Sequence, residues 1–570
     1  MKAKLLTITL LVTCTLFGQL REVAFTEKIV EASLIIEGEI LSKNSFYADN
    51  SENIYTFFEV NVFKVIKGDA SNISNENRIY ILLPGGDIGT ESLHVEPNLN
   101  LDINEVGTIL LKNNTVPATS IGLPAVFMYE PTQSAQSKYN YNCENGEVNG
   151  VFQNFGSISG FYDELINASG QDIINIQPYT ACASPSPQPF SAIAISGFSP
   201  ASVPAGAKEI LTINGSGFGA TQGGSKVWFR KNSNPSQFET RSALPILSWS
   251  DTQIELYVPD YAGSGQIGVS AGFTAPVTYS TTGLIVPYTE TNIQYQQTQH
   301  VDDQSGGYIW TMNSTFSSNT NAAAAFNRAR ENWICETRMN WYISSSTTAI
   351  NATSFDGINI IRFDSGLPSG VLGICYSYYS SCGGDYYITE LDLAFNSNIN
   401  WNYSENAPAT NEYDFETVAL HELGHGRQLG HIINASKTMN YSLGAGIQKR
   451  VISNDEKIGG LDINERSTNF NLSICGKTSM VGIICFPLGM DENNLALITM
   501  YPNPANNYIT IDTNLPSSYT IYDMQGRVIT LDINLHLGEN LIDISTLKSG
   551  IYFVNISSEG NSFTKKLIKK

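Results

Sequence analysis

The chain has six histidines, and three of them, His421, His425 and His431, fall in one short segment: His421-Glu422-Leu423-Gly424-His425-Gly426-Arg427-Gln428-Leu429-Gly430-His431. At 3.6 residues per turn, the first two share a helix face one turn apart. Two imidazoles so placed can hold one zinc ion, with nitrogens at about 2.0–2.1 Å. Glu422 is rotated from them by roughly 100°. It stands near the metal without being forced onto it, which suits a base. On a continued helix His431 would lie about 9 Å beyond His425. The helix must therefore end and the chain turn back, and Gly430 permits such a turn. Three histidines leave a fourth zinc position for water, whose pKa the metal lowers towards about 7 while polarising a substrate carbonyl. Glu422 would take the water's proton and pass it to a leaving amine. The chemistry expected is metal-assisted amide hydrolysis. His94, His300 and His536 are scattered, and read as surface or core residues.

The elements that must position these residues are legible between residues 290 and 490. Ala322, Ala325, Phe326, Ala329 and Trp333 recur at helical spacing, with Thr320 or Asn321 as cap. Strand-like runs follow at 357–363 and 386–395. A second helix is predicted from Asp414, with Phe415, Val418, Ala419 and Leu423 as its apolar stripe. A third is predicted from Ser453, because Ser453-Asn454-Asp455-Glu456 fits a capping box. The layout is α+β. Asp385, Glu390 and Asp392 cluster hard oxygen ligands that could bind a structural Ca²⁺, with a solvated acidic edge as the other reading.

The histidine segment resembles the metzincin metalloproteases, and within them the matrixin-like pattern. Val418-Ala419-Leu420 runs into the motif, and Lys437-Thr438-Met439-Asn440-Tyr441 follows it. The resemblance implies that Met439 is a Met-turn residue underlying the zinc site. It also places Tyr441 beside the metal, as ligand or hydrogen-bond donor, with packing as the alternative. One position departs: Gln428 stands where the family usually has Gly, so Gln428 must adopt the bend or the bend shifts towards Gly430. No cysteine-switch motif is present. The function implied is a secreted zinc endopeptidase acting on protein or peptide substrates, with Glu422 as general base and acid. The competing reading is a cell-surface adhesin or binding protein with a vestigial metzincin domain. Residues 19–182 could also act as a propeptide covering the cleft.

The rest of the chain reads as β modules. Residues 19–182 carry β-branched and aromatic runs at 35–41, 55–66, 79–83 and 108–112, which predict an all-β domain without chemistry. Residues 183–190 are a Pro/Ser linker. In 191–286, Gly197-Phe198-Ser199-Pro200, Leu211-Thr212-Ile213-Asn214-Gly215-Ser216-Gly217-Phe218-Gly219 and Trp249-Ser250-Asp251-Thr252-Gln253-Ile254 resemble an IPT/TIG domain, which implies an immunoglobulin-like sandwich. In 498–570, Tyr501-Pro502-Asn503-Pro504, Ile521-Tyr522-Asp523-Met524-Gln525-Gly526-Arg527, Leu547-Lys548-Ser549-Gly550-Ile551-Tyr552 and a basic end resemble the type A sorting domain of the type IX secretion system. That resemblance implies the secretion machinery as a partner and a secreted or surface-held product. The expected fold is multidomain: an α+β metzincin-like domain at 290–490 flanked by all-β domains, an Ig-like sandwich and a C-terminal β-sandwich.

Composition supports export and excludes other classes. Lys2, Lys4, the apolar run 5–12 and Leu16-Phe17-Gly18 read as a signal peptide over 1–18, leaving Gln19 first. The chain has 570 residues and a net charge of −21, which argues against nucleic acid as a partner. No stretch in its body is long and apolar enough to predict a transmembrane segment. Of eight cysteines, seven survive signal removal. Cys375 with Cys382 and Cys475 with Cys485 are the expected local pairs, the spacing permits Cys143 with Cys182, and Cys335 is left over; spacing alone does not settle connectivity.

Overall fold

The computed structural model describes residues 18–49, 53–118, 121–143, 145–179, 182, 192–241, 244–272, 275–303, 306–469, 476–483, 498–513, 517–523, 527–558 and 561–570. The signal residues 1–17, the linker 183–190, Met524-Gln525-Gly526, Cys475 and Cys485 lie outside them. The chain divides into two units, Met1–Ile484 and Cys485–Lys570. Among the described residues no helix is long and apolar enough to cross a membrane.

The first unit begins with a twisted antiparallel sheet centred on three long strands, Leu34–Tyr47, Ile54–Lys67 and Arg78–Pro84, with Val106–Asn113 alongside. Alternating Ile36, Ile40, Val60, Val62, Ile79 and Ile81 point to one side and form its core. The other face is covered by two helices, Phe25–Glu31 and Ile158–Ser169, through Ile29, Phe161 and Leu165. An all-β layer was expected here, so the helices are a difference. The second helix has its own stop and start signals: Ser157 accepts from the Gly160 N–H, and Gly170 takes φ 66° beyond its end. Cys143 and Cys182 form a disulfide.

Two four-stranded sheets follow between Ala194 and Tyr279. Leu211, Ile213, Val227, Phe229, Ile254, Leu256, Ile267 and Val269 interdigitate between them, which makes a sandwich.

The last part of the first unit is α+β. Its strands run in the order Trp341–Ile343, Tyr308–Met312, Asn359–Asp364, Asp385–Asn396 and Gly373–Cys382; the first four are parallel and the fifth is antiparallel. Three helices pack with them: Thr320–Thr337, Phe415–Gly426 and Asn454–Asn469. The stripe Ala322, Ala325, Phe326, Ala329 and Trp333 is buried as its spacing predicts, but the cap is Asn319, whose side chain accepts from the Ala322 N–H. Phe316, Phe326, Phe395 and Phe415 meet ring to ring beneath the helices. Each such ring contributes about 1.5–3 kcal/mol through removal from water.

The sheet does not end at Gly373–Cys382. The strand Glu91–Glu96, from the N-terminal region, pairs antiparallel with it, placing Glu96 opposite Cys375 and Leu93 opposite Tyr378. Gly86–Ile88 then pairs with Glu91–Glu96. Leu93, Val95, Leu20, Val371, Ile374 and Tyr378 share one apolar cluster. The two regions therefore have a common core, which alternation within either segment could not reveal.

The second unit, described by itself, has a three-stranded and a four-stranded sheet closed over Ile509, Ile511, Tyr519, Ile521, Val554 and Ile556. It is a β-sandwich.

Candidate metal centre

The helix Phe415–Gly426 carries the first two histidines. Asp414 caps it by accepting from the Thr417 N–H at 3.0 Å, and Arg450 holds the Asp414 carboxylate at 2.5 Å. Every residue of this helix is buried. Trp333 donates its indole N–H to the Leu420 carbonyl at 2.6 Å, locking the helix against its neighbour.

The turn to His431 resolves the alternative left open at Gln428. Gln428 itself adopts the bend, with φ 74°, and Gly430 has no positive φ. Its side chain explains how a non-glycine is held there. Gln428 Oε1 accepts from the Thr298 hydroxyl at 2.8 Å and from the Tyr379 hydroxyl at 2.6 Å. The backbone is braced from outside as well: the Gly430 N–H donates to the Thr289 carbonyl and the Thr291 N–H to the Gln428 carbonyl. Gly430 has its own reason to be small, since a Cβ there would press on Thr289.

The result is a converging triad. His425 Nε2 lies 3.0 Å from His421 Nε2 and 3.2 Å from His431 Nε2. Each outer nitrogen is engaged. His421 Nδ1 meets the Thr438 carbonyl at 2.5 Å, His425 Nδ1 the Leu429 carbonyl at 2.9 Å, and His431 Nδ1 the Glu96 carboxylate at 3.0 Å. With Nδ1 donating outward, Nε2 turns its lone pair inward. The rings are 1%, 4% and 3% exposed, so water does not compete for those lone pairs. Burial first, then the charges of the neighbouring imidazoles, push His421 well below the usual histidine range and His425 down to about 3. Neutral imidazole is the ligand form. Among the described residues this is the one group of three or more His, Cys, Asp or Glu side chains close enough to share an ion.

Glu422 stands beside the triad, fully buried, with neither carboxylate oxygen hydrogen-bonded. Burial and, after it, the charge of Glu96 push its carboxyl well above the usual range. It fits against Gly373 at the start of the strand Gly373–Cys382, where a Cβ would collide with the carboxylate. An unpaired buried carboxylate is costly to keep, and a cation or reacting group at the triad is what would satisfy it. Three imidazole nitrogens with this acid beside them are a donor set that could hold a metal ion.

Met439 is fully buried, with its sulfur against Gly424 of the helix Phe415–Gly426. Its N–H donates to Glu456 at 2.7 Å, and Glu456 also accepts from the Ser453 N–H at 2.7 Å. The predicted capping box is therefore present and ties the Met439 turn to the last helix. Tyr441 goes elsewhere. Its ring faces Phe152 at 6.3 Å, its carbonyl accepts from the Leu20 N–H, and among the described residues it is hydrogen-bonded to none of the three imidazoles.

Other expectations need correction. Glu390 accepts from the Asp356 and Gly357 N–H groups, and Asp392 from those of Ser354 and Ile360. These carboxylates organise the 354–360 loop, while Asp385 is exposed at the far end of the strand, so no calcium cage assembles from the three. Among the described residues the free thiol is Cys375, buried on the strand Gly373–Cys382, whereas Cys335 and Cys382 are both disulfide-bonded. His94 is not scattered, since its Nε2 lies 3.5 Å from the same Glu96. Glu96, Gly373 and Glu456 were missed as site residues. Only Glu456 carried a signal, the capping box; the others act through long-range pairing.

A cleft of about 290 Å³ leads to the triad. It is lined by Glu96 and His94 from the N-terminal region, Arg241, Asp260 and Tyr261 from the sandwich, and His425 and His431.

Comparison with known proteins covers the flanks of this site. Residues 194–295 match the IPT/TIG domain and residues 499–570 the secretion system C-terminal sorting domain. Neither match reaches the triad. No curated protein matches the chain. Among solved structures, an auxiliary nutrient binding protein from Bacteroides thetaiotaomicron VPI-5482 aligns over 66% of this chain and 85% of its own, at 10% identity and a TM-score of 0.17. So slight a likeness bears on neither fold nor function. The chain thus carries an IPT/TIG domain and a type IX secretion sorting domain, and is exported to the cell surface or the medium.

Proposed function

We propose that this protein is a secreted zinc-dependent endopeptidase of the metzincin type. One observation carries the reading: three buried imidazoles turn their Nε2 atoms to one point, with an unpaired buried carboxylate beside them. His421, His425 and His431 would hold the zinc, which when bound would polarise a carbonyl and acidify a water. Glu422 takes a proton from the attacking water on its carboxylate and returns it to the leaving amine nitrogen. Gly373 keeps room for Glu422, and Met439 supports the helix that presents the ligands.

A second reading, a surface binding protein with a vestigial site, is favoured by one feature. The edge of Gly373–Cys382 beside the triad is already paired with Glu91–Glu96, which leaves the cleft as the approach for a substrate. One comparison separates the readings: the zinc-loaded full chain beside Glu422→Ala, assayed on casein and a peptide library. The endopeptidase reading expects cleavage by the wild type and a loss of at least about 10²-fold in the variant, at equal zinc content. A wild type that binds zinc and cleaves nothing would leave the binding protein.

A further inference from the structure

We propose that Glu96, brought in from the N-terminal region, is a positioning residue of the metal centre: its carboxylate holds the outer nitrogen of His431 and so fixes the ring that presents Nε2. The proposal rests on the reading of the triad as a metal site, and concerns what completes it.

The three imidazoles are not held alike. His421 and His425 rest on backbone carbonyls, Thr438 and Leu429, from the same α+β region. Those contacts come with the fold of the ligand helix and its turn. His431 lies past the turn, and the acceptor at its Nδ1 is Glu96 Oε1 at 3.0 Å. The third ligand is thus oriented by a different part of the chain. A carboxylate on the outer nitrogen of a metal-bound imidazole fixes the tautomer and raises the ligand's basicity, and its loss weakens metal binding by about 10–100-fold.

Glu96 is itself held firmly. Six consecutive residues, Glu91 to Glu96, are in register with Cys375 to Ser380, so its backbone position is set by a ladder. Leu93 and Val95, on the same strand, are buried against Val371, Ile374 and Tyr378. Its second oxygen lies 3.5 Å from His94 Nε2, so the carboxylate is gripped from both sides. Gln133 adds contacts between the regions: its side chain accepts from the Gly370 N–H and donates to the Ser369 hydroxyl at 3.2 Å. A strand serving only as a cover would not need a carboxylate at the imidazole.

The test uses the full chain with zinc and cobalt(II) as probes. Zinc affinity is read by competition with a chromophoric chelator, and ligand geometry by the cobalt d–d absorption. Glu96→Ala is expected to weaken zinc by about 10–100-fold and to alter the cobalt spectrum. Glu96→Gln keeps the shape and an acceptor but loses the charge, and is expected to fall between the variant and the wild type. Thermal melting of each metal-free protein controls for folding. If Glu96→Ala does not fold, the isosteric Gln variant decides: zinc affinity within about twofold of wild type overturns the proposal. So does a folded Glu96→Ala with unchanged affinity and spectrum, including one that hydrolyses peptides faster, because the strand would then be a cover only. A wild type that takes up neither metal fails differently, since it removes the metal-centre reading itself.

Discussion

Lys28 shows what a single residue can contribute far from the site. It is 2% exposed, on the helix Phe25–Glu31, with its ammonium 5.0 Å from the Tyr139 ring centroid. Burial lowers its pKa to about 7, against an opposing pull from Glu22. Between about pH 7 and 10.5 the unfolded chain therefore holds a proton that the folded chain does not. Stability must rise with pH through that window. Lys28→Met is expected to remove this slope and to stabilise the N-terminal region at pH 7. Denaturant unfolding of both proteins at pH 7, 8 and 9 measures it, and parallel curves would refute it. Residues of this kind are hard to read in a sequence, because nothing local marks a lysine as buried. The histidines are the opposite case. Their spacing is chemistry written along one helix and one turn, and the geometry of His421, His425 and Glu422 follows from 3.6 residues per turn. Glu96 follows from no spacing at all, since its partner is set by sheet pairing between distant segments.

At the scale of elements, the turn after the helix Phe415–Gly426 decides where His431 stands. Gln428 holds a left-handed backbone that costs a non-glycine residue about 1–2 kcal/mol. It also supplies the acceptor for the buried Thr298 and Tyr379 hydroxyls. Gln428→Gly relieves the first and loses the second; the Thr298 hydroxyl keeps the Thr291 carbonyl at 3.3 Å, so the loss falls mainly on the Tyr379 hydroxyl, at about 1–3 kcal/mol for a buried hydroxyl without its acceptor. Gln428→Ala loses the acceptor and keeps the strain. The expected order of thermal stability is wild type, then Gly, then Ala; a Gly variant melting above wild type would show that the side-chain bonds contribute less than the strain. Sequence reasoning could locate the bend but not choose between Gln428 and Gly430, because the choice rests on partners in other segments. Caps were easier. Asp414 and the Ser453–Glu456 box sit where local hydrogen bonding demands them. The helix Ile158–Ser169 had equally good ends in Ser157 and Gly170, but lies among strong β runs that masked it.

Across the whole molecule, the sorting domain and the histidine triad occupy separate parts of the chain. The sorting domain at 499–570 has a core of its own. Its removal is expected to abolish passage to the outside while leaving zinc uptake by the remaining chain within about twofold of the full chain. Cell fractionation with a metal assay of the retained protein checks both halves. In the first unit, by contrast, boundaries drawn by composition cross a continuous sheet. A fragment of residues 290–490 would leave the long edge of Gly373–Cys382 bare, and a fragment of 19–182 would expose Leu93 and Val95 on a strand paired along one edge only. Bare apolar edges recruit other strands. Each fragment alone would therefore tend to clump, whereas the whole first unit, which ends at Ile484, keeps those edges covered.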